Sequence, residues 1–219
     1  MRYSGSMTLA ALLLAGATLA CSDSGPVLAP SQARISIDAG IAAQLTAGLS
    51  ASVAGTEVAI SPDTVESLTI QFTDVAFLPV GTSETDQASW QTLTLPAPVT
   101  LDLMALPTQT EGSVEIAAGS VPVGQYQMVR LMVGEGEIVF KGPITLGGAA
   151  TFDGGTPYAV TIPSGNQTGI KTDLSFEVTE GQDATANAAY LVFTPGTTFQ
   201  NVTVTGNGEV MLTPVIHGQ

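Results

Sequence analysis

The chain has 219 residues, with 5 Lys and Arg against 19 Asp and Glu, a formal net charge of −14. Neutralising phosphate needs clustered cations, so this balance excludes nucleic acid as a partner. One Cys and one His leave no zinc site and no internal disulfide, and a composition 44% hydrophobic and 11% charged is that of a folded chain rather than a disordered one.

Taken in chain order, the first element is a leader. Within residues 1–20, Arg2 precedes an apolar run from Met7 to Ala20. The run is shorter than the ~20 residues a membrane-spanning helix needs, and it has the layout of a secretory signal. The string Thr18-Leu19-Ala20-Cys21 resembles a bacterial lipobox, although Thr18 stands where Leu is usual. In that pattern the Cys is lipidated on sulfur and becomes the new N-terminus, so the resemblance implies an anchor on Cys21. An unmodified lone thiol is a liability in an oxidising compartment, which favours the same reading. Ser22, in place of Asp, implies delivery to the outer membrane, on its periplasmic or surface face. Residues 22–32 hold Ser, Gly and Pro with little periodicity and read as a flexible tether. Loss of Arg2 with the leader takes the net charge to −15. Such a body is repelled by anionic lipid, so contact with the membrane is expected through the N-terminal lipid alone.

Residues 33–219 read as one β-domain. Leu68, Ile70 and Phe72 alternate with Thr69 and Gln71; Val129, Leu131 and Val133 alternate with Arg130 and Met132. The same period of two runs through Leu174–Val178, Val202–Val204 and Val210–Leu212, as strands with one buried face require. There are 28 Thr, 24 Gly and 13 Pro. Thr suits the solvated face of a sheet, and Gly and Pro punctuate the chain at a spacing that favours short strands. The expected fold is all-β, a single antiparallel β-sandwich of Ig-like or transthyretin-like type. Only Ala39–Ala54 offers a helical pattern, through Ile41, Leu45 and Leu49.

Four segments then resemble, in order, the bacterial lipoprotein domain of unknown function numbered 4382. They are Val65–Ile70 with Thr73–Phe77 and the Trp90 strand; Leu101–Leu106; Val121–Leu131, similar to an LPAG-x-Y-x-x-IRL signature; and Ile162–Lys171, similar to VPSG-x-x-x-GIKL. The closing Gly208–Ile216 is similar to the family's last strand. The family usually has Asp-Ala-Pro near its first strand, where this chain has Asp38-Ala39-Gly40, and often an Asp near Leu191–Phe193, where Thr194 follows here. The resemblance implies a secreted or lipidated sandwich and no established chemistry. The Gly124-Gln125-Tyr126 string also resembles the Gly-x-Tyr turn of transthyretin-like and carboxypeptidase-regulatory-like sandwiches, which are accessory modules.

The most unusual loop is Pro163–Gly169. Its Ser164, Asn166, Gln167 and Thr168 carry hydrogen-bonding groups suited to a sugar or a peptide backbone, and loops on a rigid sheet often hold such sites. The same residue types also cap their own backbone. Lys171 joins them as a ligand-binding candidate. Lys171 and Arg130 either pair with Asp102 or Asp173 or mark an anion-binding spot. Trp90, Tyr158, Tyr190 and Phe199 either stack on a sugar or fill the core. Glu135 and Glu137 share a strand face, but no calcium-loop pattern surrounds them, so no metal and no cofactor is expected. His217 offers no partner for nucleophilic catalysis, no catalytic residue is assigned, and no enzyme activity is expected. The leading expectation is a lipid-anchored envelope protein acting as a non-catalytic interaction or structural module for another envelope protein. The alternative is a carbohydrate-binding module for an envelope polysaccharide. Exposed aromatics favour the second; an apolar patch or an open strand edge favours the first.

Overall fold

A computed structural model of the chain describes residues 30–40, 56–148 and 150–219. The leader, Cys21, the tether up to residue 29 and residues 41–54 of the helical pattern lie outside the described residues. The expected all-β sandwich is the architecture found. A four-stranded sheet has the order β15(Ile216–Gly218), β12(Ala188–Phe193), β1(Pro30–Ala39), β6(Val114–Pro122). A larger sheet runs β2(Thr56–Val58), β13(Val202–Val204), β14(Val210–Met211), β10(Pro157–Thr161), β7(Gly124–Phe140), β3(Val65–Pro79), β4(Gln91–Leu93). In it β11(Ile170–Val178) also pairs with β7, and β5(Val99–Asp102) with β3. A separate hairpin joins β8(Ile144–Leu146) to β9(Ala150–Phe152).

Two features depart from the sequence reading. The sheets are mixed, since β1–β12 and β10–β14 run parallel. Alternation along a strand is the same in either direction, so it carries no sign of a parallel partner. The first strand also begins at Pro30, within the stretch read as tether. Ser31 holds it there by donating to the Thr179 carbonyl at 3.0 Å. Asn187 clamps the same region, donating to the Gln32 carbonyl at 2.9 Å and accepting from the Thr179 N–H at 3.0 Å.

The β3–β7 ladder is the frame. Its register slips between Ile70 and Phe72 and again between Phe72 and Asp74, and such bulges bend a strand pair and raise its twist. The bend lets one pair serve two sets of neighbours. The first half of β7 takes β11 on its free edge and the second half takes β10. The bulge also switches the phase of β3, so Leu68, Ile70 and Phe72 and then Val75 and Phe77 all reach the one core. Val75, Ala76, Phe77 and Leu78 are consecutive and all buried, because Trp90 and Met128 cover Ala76 and Leu78 on the outer face.

The two sheets meet edge to edge at both seams. A methyl group at Gly119 of β6 would stand 2.7 Å from Leu93 Cδ1 of β4. Gly218 of β15 packs so closely on Asp173 and Leu174 of β11 that its Cβ would strike backbone. The core between the sheets is anchored by Phe77, whose ring lies 5.6 Å from Tyr126 and 5.3 Å from Phe176. Tyr126 follows the Gly124 turn as the sequence suggested, and its hydroxyl donates to the Pro122 carbonyl at 2.6 Å. Phe77 is fully buried, so Phe77→Ala is expected to cost ~3–5 kcal/mol in equilibrium denaturation, from lost transfer free energy and an unfilled cavity. A loss below about 1 kcal/mol would mean that the three-ring cluster of β3, β7 and β11 is not a main support of the core.

Candidate ligand-binding site

The predicted loop residues fold inward on one backbone oxygen. Ser164 adopts φ 57, and its carbonyl accepts the N–H groups of Gln167, Thr168 and Gly169 at 3.0, 2.9 and 3.2 Å. The loop is docked on β7 through the Val133 N–H, which donates to the Gly165 carbonyl at 3.1 Å. Gly169, at φ +70, leaves no room for a side chain against the Leu131 carbonyl and Arg130 Cγ. Ser164, Asn166, Gln167 and Thr168 are exposed, and the one side-chain bond among them is Thr168 Oγ1 back to the Ser164 carbonyl, at 3.4 Å. The loop is thus held by its backbone, and the Ser164, Asn166 and Gln167 side chains stay exposed and make no hydrogen bond among the described residues.

Lys171 lies one strand across from Arg130 in direct register. Neither takes the expected carboxylate. Lys171 pairs with Glu84 at 3.3 Å, and Arg130 donates to Gln87 Oε1 at 2.6 Å. Asp102 is occupied elsewhere, accepting the N–H groups of Leu68 and Met104, each at 3.0 Å. What gathers the two cations is Trp90. The Arg130 guanidinium stacks 4.5 Å from the indole centre and Lys171 Nζ lies 5.8 Å from it. The indole N–H donates to the Glu84 carbonyl at 3.2 Å. Trp90 is therefore a fastening for the 81–89 connection rather than a platform, being 6% exposed.

A groove of about 370 Å³ runs beside this cluster, past Met128, Lys171, Asp173, Pro214 and His217. Its one amine, Lys171, is already paired with Glu84. Glu135 and Glu137 line a smaller recess of about 80 Å³ with Thr69, Gln71 and Thr100. No group of three or more metal-ligating side chains occurs among the described residues.

The site with unmet chemistry is on the opposite sheet. In β1, Ile35 and Ile37 enter the core, so Arg34, Ser36 and Asp38 belong to the outer face. Asp38 is nevertheless only 3% exposed. The chain after β5 brings cover to this end of β1: the Ala39 N–H donates to the Pro107 carbonyl at 2.8 Å. Glu111 closes the turn that follows, accepting the Thr108 N–H and hydroxyl at 3.1 and 2.8 Å. Those bonds hold the Glu111 carboxyl below its usual range. From the other side, the Gln219 N–H donates to the Tyr190 carbonyl at 3.0 Å. Asp38, Gln109, Gly112, Ser113, Tyr190 and Gln219 then surround a recess of about 310 Å³.

Among the described residues, Asp38 is the one charged group of the buried polar side chains, and its Oδ1 is one of four buried side-chain atoms without a partner, with Arg34 Nε, Glu57 Oε2 and Arg130 Nε. Ser31, Asn187 and Thr198 are hydrogen-bonded, but Asp38 Oδ1 has no partner among the described residues. A buried acceptor left unpaired is costly, which makes it informative. Burial pushes the Asp38 carboxyl up from its usual 3.8. Tyr190, 37% exposed, is one of two large apolar side chains the described residues leave open, the other being Val80. Its hydroxyl meets Arg34 Nη2 at 3.4 Å. Of the four aromatics singled out from sequence, Trp90 and Phe199 are buried, Tyr158 packs against Phe152, and Tyr190 alone is open. Gly40, at the position that the resemblance to Asp-Ala-Pro would give to Pro, donates its N–H to the Phe193 carbonyl at 2.8 Å. Proline has no such donor.

The chain belongs to the family described as a domain of unknown function, DUF4382, which matches residues 54–214. No curated protein and no solved structure matches the chain. The matched segment includes Gln109, Gly112, Ser113 and Tyr190, while Asp38 lies ahead of it.

Asp38 carries a stability signature. A carboxyl raised by burial has the same charge cost at every pH above its folded value, and none below its unfolded value. Stability from this group therefore falls as pH rises from 3.8 through the raised folded value. Asp38→Asn is expected to raise the denaturation midpoint at pH 7, with the advantage gone near pH 3.5. Equal midpoints for both proteins at pH 7 would show that the carboxylate bears no burial cost.

Proposed function

We propose that this protein is a lipid-anchored binding module of the bacterial envelope, non-catalytic, which meets its ligand on the outer face of the four-stranded sheet. The observation that carries this is the Asp38 recess, where a buried, unpaired acceptor borders an exposed tyrosine ring. Recesses with a few convergent polar groups and an apolar wall are the usual form of a small-molecule site. The groups that converge here are one carboxyl, two carboxamides and hydroxyls, a set that orients a ligand by hydrogen bonds. An acid–base mechanism needs a second titratable group with a different pKa, and the recess residues supply only Asp38 in that range.

The anchor rests on the lipobox resemblance at Cys21. Acyl chains at one terminus hold a domain at the membrane because each buried methylene adds ~0.8 kcal/mol. The acidic body then stands off the anionic headgroups on its tether. A protein as the ligand, the other reading the sequence allows, draws less support. Val80 and Tyr190 are the exposed large apolar side chains among the described residues, and Val80 lies in the turn after β3 of the larger sheet whereas Tyr190 is on β12 of the smaller one.

Expression in a Gram-negative host with radiolabelled palmitate tests the placement. The wild-type chain is expected to carry label and sediment with membranes, and Cys21→Ala to lose the label and appear in the soluble periplasmic fraction. Label retained by the variant would rule out Cys21 as the anchor.

A further inference from the structure

We infer that the Asp38 recess is a saccharide subsite, in which a neutral sugar ring lies against Tyr190 and donates a hydroxyl hydrogen bond to Asp38 Oδ1. This deepens the binding-module reading and rests on it. The first ground is the demand of the acceptor. Asp38 Oδ1 is buried without a donor, so a ligand that brings an O–H satisfies it with a charge-assisted bond.

The second ground is the inventory around it. Gln109 Nε2 donates to Gln219 Oε1 at 2.9 Å. The two carboxamides are thereby fixed relative to one another, with Gln109 Oε1 left as acceptor and Gln219 Nε2 left as donor. Ser113 adds a hydroxyl to the same wall. Alternating donors and acceptors on a short arc match vicinal hydroxyls, each of which both gives and receives.

The third ground is charge. Arg34 and Asp38 lie on the same face of β1 and flank the position of Ser36, which is in register with Tyr190. Arg34 has no carboxylate partner within ion-pair range among the described residues, and its Nε has no hydrogen-bond partner. Arg34 does not line the recess but meets the hydroxyl of Tyr190, which does, so one cation and one anion stand at the two ends of this row of β1. The other carboxylates of this face are Glu115 of β6, beside Ser36, and Glu111, in the turn over the recess, while His217 of β15 lies in the row of Asp38 and Val192. All three are exposed to solvent and screened there. An ammonium or a carboxylate on the ligand would meet an opposing charge at one end, whereas a neutral polyol meets none.

The fourth ground is shape. The Tyr190 side chain stands open at the rim, and about 310 Å³ lies within the range of small-ligand sites.

Full-length protein in detergent micelles, tested by calorimetry against three oligosaccharide sets, decides the matter. The sets are neutral glucan, mannan and galactan fragments; glucosamine oligomers; and uronic-acid oligomers. Binding is expected in the neutral set. Asp38→Asn and Tyr190→Ala are each expected to weaken it by roughly tenfold or more, and Lys141→Ala, remote from the recess, to leave it unchanged. Because Asp38→Asn is expected to be the more stable protein, its loss of binding would not be a folding defect, and a native melting transition for Tyr190→Ala gives the same assurance. Preference for either charged set, or neutral binding indifferent to both substitutions, would overturn the inference. So would a wild-type protein that binds none of the sets. In that last case, capture of a defined envelope protein that Tyr190→Ala abolishes would leave the binding-module reading standing while the saccharide subsite fell.

Discussion

The β3–β7 ladder is the constraint on which the rest depends. A 15-residue strand and a 17-residue strand are too long to stay flat, and the twist of paired strands has to be relieved somewhere. The bulges around Ile70–Asp74 relieve it. They turn the larger sheet around the core, so that β4 reaches β6 along one seam and β11 reaches β15 along the other. At both seams a glycine marks the closest approach, since Gly119 and Gly218 admit no Cβ. Closing the seams protects strand edges that would otherwise be open to pairing with another chain.

This closure decides which surfaces remain for function. On the larger sheet the outer face is fastened down. Trp90 covers Ala76, Leu78 and Met128, and Arg130 and Lys171 lie over its ring. Two of the five cations in the sequence are spent on that fastening, which makes the cluster a structural device. On the smaller sheet the outer face is partly roofed by the turn at Thr108–Gly112 and by Gln219, and the roof leaves a recess rather than a packed layer. The contrast between Asn187, with its hydrogen bonds made on both sides, and Asp38, with an oxygen unmet, separates a group that holds the fold from one whose hydrogen-bonding capacity the fold leaves unused.

Much of the fold is legible in the sequence because burial on one face writes itself as alternation. Leu68, Ile70 and Phe72, or Val129, Leu131 and Val133, declare their strands without any neighbour being known. What alternation does not carry is partner identity. The parallel pairing of β1 with β12 joins residues such as Ile37 and Leu191, far apart in the chain, and nothing local records it. The run Val75–Leu78 departs from alternation because Trp90 arrives from another strand.

The site is legible in the same uneven way. Ser164, Asn166, Gln167 and Thr168 stand out as a string, and what the sequence does not show is that one carbonyl gathers the N–H groups of the last part of that loop. Asp38 sits at an ordinary outward position after Ile37, and reads as a solvated carboxylate until Pro107 and Gln219 are placed around it. Its two signals in sequence were its place in the Asp-Ala-Gly string and the presence of Tyr190 among the spare aromatics. Mapping backbone amide shifts as a neutral oligosaccharide is titrated into the isotope-labelled protein tests the binding face most directly. The largest changes are predicted at residues 36–40, 109–113 and 190–192. Changes centred on residues 164–171 and the Trp90 indole, with the Asp38 recess unmoved, would contradict that assignment.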